Sequence, residues 1–576
     1  MSNYTHLRER YSHETSVTIQ DVSGTVYTPK WLAQQMIFQL IDDHICKNFT
    51  SFNLYPLYVE GYLKDEVSES FSEDSQELLS LIKSSKILDL SCGSGVLLLT
   101  YIEFVEYLVK CCKADLSTIM TNLVEDCIYG IDIDETAILV FKETLIAYFE
   151  SIEITPKKLN LFCGNSLIED YFDTLKFDLI IGNPPYIGEK NNLNWFQPIK
   201  DTPFGKKYYE GKMDYFYFFI YRGWELLKSE GSLCYLSSNY FLSADGAKHL
   251  RSFIKTHFTF SRYIDYGDAR VFPERKLHAC IYVLKRQPVD TVIMYDEDYR
   301  IEKKLSPELI YQEDGLVKFI VSDLVQSRIN HIKSGKIGLL GDLYNVHQGI
   351  VTGSDAAFVY TEEELSQLPK EALQYAVPFF KNSDIKHYFA NKDTKLRLLY
   401  LNHNSIDEKV IKYMEKYEMK LSKRREVTKG IRSWFTLTWP RDPSIFEGEK
   451  LVVPQRARTN RFAYVKDHFY ASADVYYIKG KVNSPYSLKV LCLLLNSNAY
   501  MEWLSHMGKR KGQLLELYAT PLKAIPIIKF DKIDLLELEE ISEKVFNFET
   551  QNNVGFDEKV LDGLIKRVDQ IIENRK

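Results

Sequence analysis

The sequence predicts an α/β protein built on a doubly wound, mostly parallel sheet, followed by a C-terminal region of α+β character. Three observations predict it. Between residues 86 and 186, short apolar runs that read as buried strands alternate with longer helical stretches, the pattern of a sheet with helices on both faces. Glycine- or proline-rich turns follow several of those runs, at the carboxyl ends of strands where open α/β sheets place their chemistry. Past residue 286 the alternation gives way to segments rich in Lys, Arg, Tyr and Trp. The expected organisation is an arm over 1–23, a sheet domain over 24–286 and a second domain over 287–576.

Composition bounds the function. With 576 residues, 45% hydrophobic and 26% charged, the chain is globular and long enough for two or three domains. The amino terminus lacks the layout of a signal peptide, and no long uncharged apolar run is present, so a cytoplasmic protein without a membrane contact is expected. Nine cysteines, none in a Cys-x-x-Cys pair and most in apolar runs, argue for reduced core thiols, with no metal and no disulfide. The net charge of −7 disfavours a nucleic-acid binder until its distribution is considered.

Taken in order, Thr28 and Pro29 followed by Trp31, Leu32, Met36, Ile37 and Leu40 read as an N-cap, a first-turn proline and an apolar helix face. A helix amino terminus with a threonine hydroxyl also suits a carboxylate. Residues 48–80 read as an insertion or helical spacer. Lys86 to Leu99 then gives strand, glycine turn and helix, with Gly93 and Gly95 allowing close backbone approach to a ligand. The third glycine of a dinucleotide fingerprint is missing, and Asp89 at the strand end can hold an ammonium. The next strand, Cys127 to Asp134, ends with Asp132 where a ribose diol is gripped, Ile133 where an adenine ring can lie, and Asp134 as a helix cap. A third strand ends in Cys163-Gly-Asn165-Ser166, polar residues suited to the adenine edge of a cofactor.

The fourth strand, Phe177-Asp-Leu-Ile-Ile181, stops abruptly at Gly182-Asn183-Pro184-Pro185-Tyr186. This stretch suits methyl transfer to an amide-like or aromatic amine. Such an amine is a poor nucleophile because its lone pair is delocalised. The Asn183 side-chain oxygen and the Pro184 carbonyl would accept its two hydrogens, and Tyr186 offers a face for stacking. The alternative is an ordinary strand-to-loop turn, with Pro and Asn as punctuation. By itself the stretch does not choose between adenine, glutamine and neither.

Together, Tyr27-Thr28-Pro29, Asp89-Leu-Ser91-Cys-Gly93-Ser-Gly95, Gly130-Ile-Asp132-Ile133-Asp134 and Asn183-Pro-Pro-Tyr186 resemble the γ class of amino-group DNA methyltransferases, the TaqI-methylase type. The resemblance implies a Rossmann-like methyltransferase sheet, S-adenosyl-L-methionine as cofactor and duplex DNA as partner. It places Tyr27, Thr28, Pro29, Asp89, Ser91 and Gly93 with the cofactor, together with Asp132, Ile133, Asn165, Ser166 and Asn183. Thr28 and Asp89 would meet the methionine part, Asp132 the ribose and Ile133 the adenine. The family usually has Asp where this chain has Asn165. Val271-Phe272-Pro273-Glu274 is similar to the family's late motif, which makes Phe272 the partner of Tyr186 across a flipped base; otherwise it is a hydrophobic staple. Residues 187–213 look too polar for a core and are expected to close over DNA, whereas the aromatics at 215–219 read as core.

Beyond 286 a target-recognition domain is implied. Residues 420–461 hold eleven bases against four acids, a balance of +7, interleaved with Trp434, Phe435, Trp439 and Gln455. Phosphate binding with some base reading needs such a segment; a solvated charged face is the plainer reading. The expected DNA contacts are Lys423, Arg424, Arg425, Lys429, Arg432, Trp434, Trp439, Arg441, Gln455, Arg456, Arg458 and Arg461, with Lys509, Arg510 and Lys511 after an apolar helix from Leu491 to Trp503. Gln348-Gly-Ile-Val-Thr-Gly353, Lys429-Gly-Ile-Arg-Ser-Trp434, Ser472-Ala-Asp474-Val-Tyr476 and Leu493-Leu-Leu-Asn496-Ser497 resemble the solitary adenine methyltransferases of clostridia and their relatives. No nuclease is expected, because some two dozen residues precede Tyr27 and Glu447-Gly-Glu449-Lys450 lacks nuclease spacing. The expected function is N6-adenine methylation in duplex DNA by a monomer in the bacterial cytoplasm, at the nucleoid. The rivals are a protein-glutamine or RNA methyltransferase and a catalytically silent DNA-binding subunit.

Overall fold

The structure, a computed structural model, describes residues 28–46, 53–66, 72–172, 174–267, 269, 271–272, 278–312, 315–320, 322–402, 406–511, 514–551 and 558–573. The expected arm and Tyr27 lie outside them. The chain divides into two compact units, residues 1–319 and 320–576.

The first unit is organised on nine strands: β1 (Ile87–Asp89), β2 (Ile128–Asp132), β3 (Asn160–Cys163), β4 (Phe177–Gly182), β5 (Leu227–Ser238), β6 (Thr259–Asp265), β7 (Ala279–Lys285), β8 (Val292–Tyr295) and β9 (Ile301–Leu305). They lie in the order β3-β2-β1-β4-β5-β7-β6-β8-β9. Strands β1 to β5 run parallel, and β7 runs antiparallel to both its neighbours. The order reverses between β1 and β4, and a reversal of this kind opens a crevice at the carboxyl ends of the strands.

Local chemistry explains the boundaries. Helix α1 (Lys30–Cys46) buries Leu32, Met36, Ile37 and Leu40 and packs on β5 and on α2 (Val96–Cys111). Its first turn bonds to the Pro29 carbonyl. Helix α2 follows Gly95, whose φ of 82° and ring neighbour, Phe141, both exclude a side chain. Helix α3 (Glu135–Ser151) starts at Asp134, whose carboxylate accepts from the amides of Thr136 and Ala137. Helix α4 (Phe216–Leu226) is buried on nearly every side, so the 215–219 aromatics are core.

The sheet does not stop at 286. Strand β8 pairs with β6 and β9 with β8, and Phe319 stacks on Tyr263 with ring centroids 3.7 Å apart. The expected boundary therefore moves to about residue 319.

The second unit is α+β. One antiparallel sheet orders Tyr344–Gln348, Val475–Gly480, Lys450–Pro454 and Ala463–Val465. Another orders Val359–Thr361, Leu396–Leu399, Ala376–Phe380 and Tyr470–Ala471. The expected apolar helix over 491–503 is two helices, Leu488–Asn496 and Asn498–Met507. They break at Ser497, whose hydroxyl accepts from the Tyr500 amide and caps the second. No helix among the described residues is long and apolar enough to cross a membrane.

Candidate active site

The carboxyl ends of β1, β2, β3 and β4 bring together most of the first-unit residues singled out from sequence. Asp89 ends β1 with 1% exposure, and its carboxylate accepts from the Ser91 amide at 2.9 Å. Burial, with the Asp132 charge nearby, pushes its pKa up to about 8. Among the described residues no cation pairs with it, so an ammonium would relieve this site. Asp132 accepts from the Gly93 amide at 2.7 Å on one oxygen and from the Asp134 amide at 2.9 Å on the other. Each oxygen keeps a lone pair for a hydroxyl donor. Burial also raises the Asp132 carboxyl above the usual range.

The glycine turn is open to a ligand. Gly93 has a φ of 52°, and a side chain there would meet nothing within 4 Å. The buried Ser91 hydroxyl has no protein partner among the described residues. Ile133 is 57% exposed at the end of β2, an apolar surface that suits a flat ring. A cationic amino acid, a diol and an adenine are what S-adenosyl-L-methionine presents, so these residues fit it.

Two expected contacts are turned inward. Ser166 donates its hydroxyl to the Leu90 carbonyl at 2.8 Å, tying the end of β3 to the end of β1. Asn165 uses its side-chain oxygen on the Leu167 amide at 3.0 Å and also interacts with the Tyr215 hydroxyl.

Asn183 stands just beyond β4. Its amide nitrogen donates to Thr28 Oγ1 at 3.0 Å, and its oxygen accepts from the Tyr186 hydroxyl. Thr28, expected to cap α1 with Pro29 in the first turn, lies one residue before the cap position, because the helix starts at Lys30 and its first amides bond to the Pro29 carbonyl; its hydroxyl instead anchors the Asn183 amide, 155 residues away. The Tyr186 hydroxyl lies 3.0 Å from the Leu236 carbonyl of β5, and its ring meets Phe216 edge-on. Pro184 is buried. A Cβ on Gly182 would lie 3.4 Å from Asp89 Oδ1, which puts the cofactor-side carboxylate against the strand that carries Asn183. Phe272 is 4% exposed and belongs to the unit's core cluster with Val271 and Tyr266.

Asp214 was missed by sequence reasoning. Its carboxylate accepts from the Ile187 amide at 3.1 Å, while the Tyr215 amide donates to the Ile187 carbonyl at 2.9 Å. These bonds close the segment after Tyr186 into a clasped loop. Burial raises the Asp214 pKa to about 6 despite its amide donors. An acid just before an aromatic run was its only signal. Within that loop Phe196, Ile199, Tyr208 and Met213 are buried, so residues 187–213 are partly core.

In the second unit the expected DNA contacts differ in exposure and in partners. Lys423, Arg425, Lys429, Arg456, Arg458 and Arg510 are exposed. Arg424 is an internal tie. Its guanidinium donates to the carbonyls of Leu421, Thr352, Trp434 and Thr436 and to Thr438 Oγ1, at 2.6–3.2 Å. Arg441 holds the Gly349 carbonyl and Gln348, Arg461 reaches the Ile385 carbonyl, and Arg456 pairs with Glu516. Lys509 bonds to Tyr518. Trp434, Trp439 and Gln455 are half-buried, and the Arg432 guanidinium lies over Trp439. The Gln455 backbone pairs with Asp474 and Leu517. Lys511 lies in the short strand Arg510–Lys511. Main-chain carbonyls gathered by the fold, invisible in a charge count, claim the inward cations.

Two family models match the chain: the Eco57I restriction-modification methylases over residues 126–272, and the TaqI-like C-terminal specificity domain over residues 378–527. With the sheet order, these matches support a DNA methyltransferase whose cofactor is S-adenosyl-L-methionine, similar to the restriction-modification methylases. Among particular proteins, the chain is similar to Type II methyltransferase M.HindII of Haemophilus influenzae. The two are 26% identical over 411 residues, covering 64% of this chain and 78% of that one. Type II methyltransferase M.BstVI of Geobacillus stearothermophilus is 22% identical over 524 residues, covering 81% and 87%. The solved structure of the Type IIL restriction-modification enzyme MmeI in complex with DNA shares the fold. It has a TM-score of 0.68 over 97% of this chain and 76% of that chain, at 13% identity.

Proposed function

We propose that the chain is a γ-class, site-specific adenine methyltransferase that methylates the N6 amine of an adenine swung out of duplex DNA. It works as a cytoplasmic monomer at the nucleoid, without a metal and without cleaving DNA. The observation that carries the reading is the Asn183-Pro-Pro-Tyr186 turn at the carboxyl end of β4, set against Asp89 and Thr28. The TaqI-like match in the second unit favours DNA over a glutamine side chain or RNA. Glu447-Gly-Glu449-Lys450 has local duties that do not suit a nuclease: Glu449 accepts from the Tyr464 hydroxyl, and Lys450 is buried on the Gly448 and Asp467 carbonyls.

When bound, S-adenosyl-L-methionine supplies an electrophilic methyl group on a sulfonium sulfur. Asp89 would hold its ammonium, Asp132 its ribose hydroxyls and Ile133 its adenine face, with Gly93 and Ser91 lining the turn. The Asn183 oxygen and the Pro184 carbonyl accept the two N6 hydrogens, so that the nitrogen lone pair faces the methyl. Tyr186 stacks on one face of the flipped base; Phe272, expected opposite it, is packed in the core cluster and is given no stacking role. The amine gives up a proton to water after methylation, because it then carries a positive charge; no dedicated base is assigned. Exposed cations of the second unit hold phosphates.

Asn183→Ala tests the reading. It is expected to retain cofactor and DNA binding and to lose tritium transfer from labelled S-adenosyl-L-methionine. Full retained transfer to DNA, or transfer by the native protein to RNA or protein instead, would overturn it. Sequencing the modified bases of methylated DNA then gives the recognised site.

A further inference from the structure

Residues 425–432 form a rigid turn that displays an apolar side chain among cations. The short helix Arg425–Thr428 ends in a complete Schellman motif: the Gly430 amide donates to the Val427 carbonyl at 2.9 Å and the Ile431 amide to the Glu426 carbonyl at 2.8 Å. Gly430 takes the left-handed position with a φ of 70°. A side chain there would meet nothing within 4 Å, so backbone conformation and not space requires glycine.

In this motif the residue after the left-handed position packs against an apolar residue at the start of the last turn. Here that partner position is Glu426, and Ile431 is 55% exposed. The fold displays the side chain that such a turn normally buries. Its base is fixed at both ends by Arg424, whose five donors hold Leu421 and Thr352 on one side and Trp434, Thr436 and Thr438 on the other. Arg425 and Lys429 are exposed on the turn itself. Next to Ile431, the buried Arg432 Nε has no hydrogen-bond partner among the described residues.

The geometry points to a DNA wedge: Ile431 enters between base steps of the duplex while Arg425 and Lys429 take the flanking phosphates. This inference rests on the proposal that the substrate is duplex DNA. An apolar tip bounded by cations on a preformed turn meets the two demands of insertion: it pays little ordering entropy, and it offers a stacked base step an apolar surface. A solvated polar face would not place isoleucine at the apex.

The test uses the full chain and a duplex oligonucleotide carrying the site identified by modified-base sequencing, with 2-aminopurine placed in turn at each position in and beside it. The variants are Ile431→Ala, Ile431→Leu and, as an exposed control on another loop of the same unit, Val482→Ala. Expected for Ile431→Ala are an unchanged melting temperature, a kcat/KM for DNA lower by about tenfold, and loss of a 2-aminopurine fluorescence rise at one step. Ile431→Leu and Val482→Ala should behave as the native protein does. A native-like rate and fluorescence in Ile431→Ala would overturn the wedge. So would a lowered melting temperature in that variant, which would mark the side chain as packed. If the native protein fails to methylate DNA at all, the proposed function fails and not the wedge alone.

Discussion

At the scale of single residues, the site is a set of buried carboxylates whose charges are chosen by their neighbours. Asp89 is held protonated by burial and by Asp132, with a pKa of about 8. Between its usual carboxylate range and pH 8 the folded chain therefore binds a proton that the unfolded chain lacks, so stability without cofactor falls as pH rises through that window. An ammonium at Asp89 requires the ionised form. Cofactor binding below pH 8 should release close to one proton, and affinity should rise by up to about tenfold per pH unit toward pH 8. Titration calorimetry at pH 7 in two buffers of different ionisation enthalpy measures that proton directly. Its absence would show that Asp89 is not the ammonium site.

The strand-end positions of Asp89 and Asp132 were legible because a strand end is a local feature. The bond made by Thr28 was not. Its hydroxyl bonds to Asn183, a pairing set by how α1 lies on the sheet and not by any local pattern.

At the scale of elements, the loop after Tyr186 depends on Asp214. Asp214→Asn keeps the shape but replaces with a donor one of the two oxygens that serve the Ile187, Tyr215 and Phe216 amides. It should cost about 1–3 kcal/mol of loop stability and lower kcat about tenfold or more, with little change in cofactor affinity. The native carboxyl protonates near pH 6, so the transfer rate should fall as pH drops through 6. Over that window the folded chain already carries more protons than the unfolded one, so the fold itself does not weaken on this account. An acid limb with an unchanged circular dichroism spectrum, absent in Asp214→Asn, reports the loop; a limb that persists in the variant removes Asp214 from this role. Sequence reasoning passed over Asp214 because its partners belong to a segment 27 residues earlier, which only the fold brings back.

At the scale of the whole molecule, the first unit needs the strands that lie past residue 286. Tyr295 on β8 donates to Asp42 at 2.7 Å, and Asp42 pairs with Arg262 of β6 at 2.8 Å, inside a buried group that includes Asp43 and Lys285. Removing Tyr295 would strip a donor from this charged interior, and removing Phe319 would uncover Tyr263. A fragment of residues 1–319 should purify folded with a cooperative thermal transition, whereas a fragment of residues 1–286 should aggregate or melt without one. Equal melting of the two would show that β8 and β9 are dispensable.

What the sequence by itself determined is whatever short-range chemistry encodes: the alternation that makes the parallel sheet, the caps and glycines that end its strands, and the order of the motifs along it. Tertiary structure alone decided which charges face water. Arg424 and Lys429 are five residues apart and identical in sign, yet one is wired to five internal acceptors and the other is exposed. A guanidinium's partners are main-chain carbonyls whose positions exist only after folding. For the same reason the Asn183 to Tyr186 turn has its chemistry written in four residues, and its anchoring by Thr28, Leu236 and Asp214 written nowhere near them.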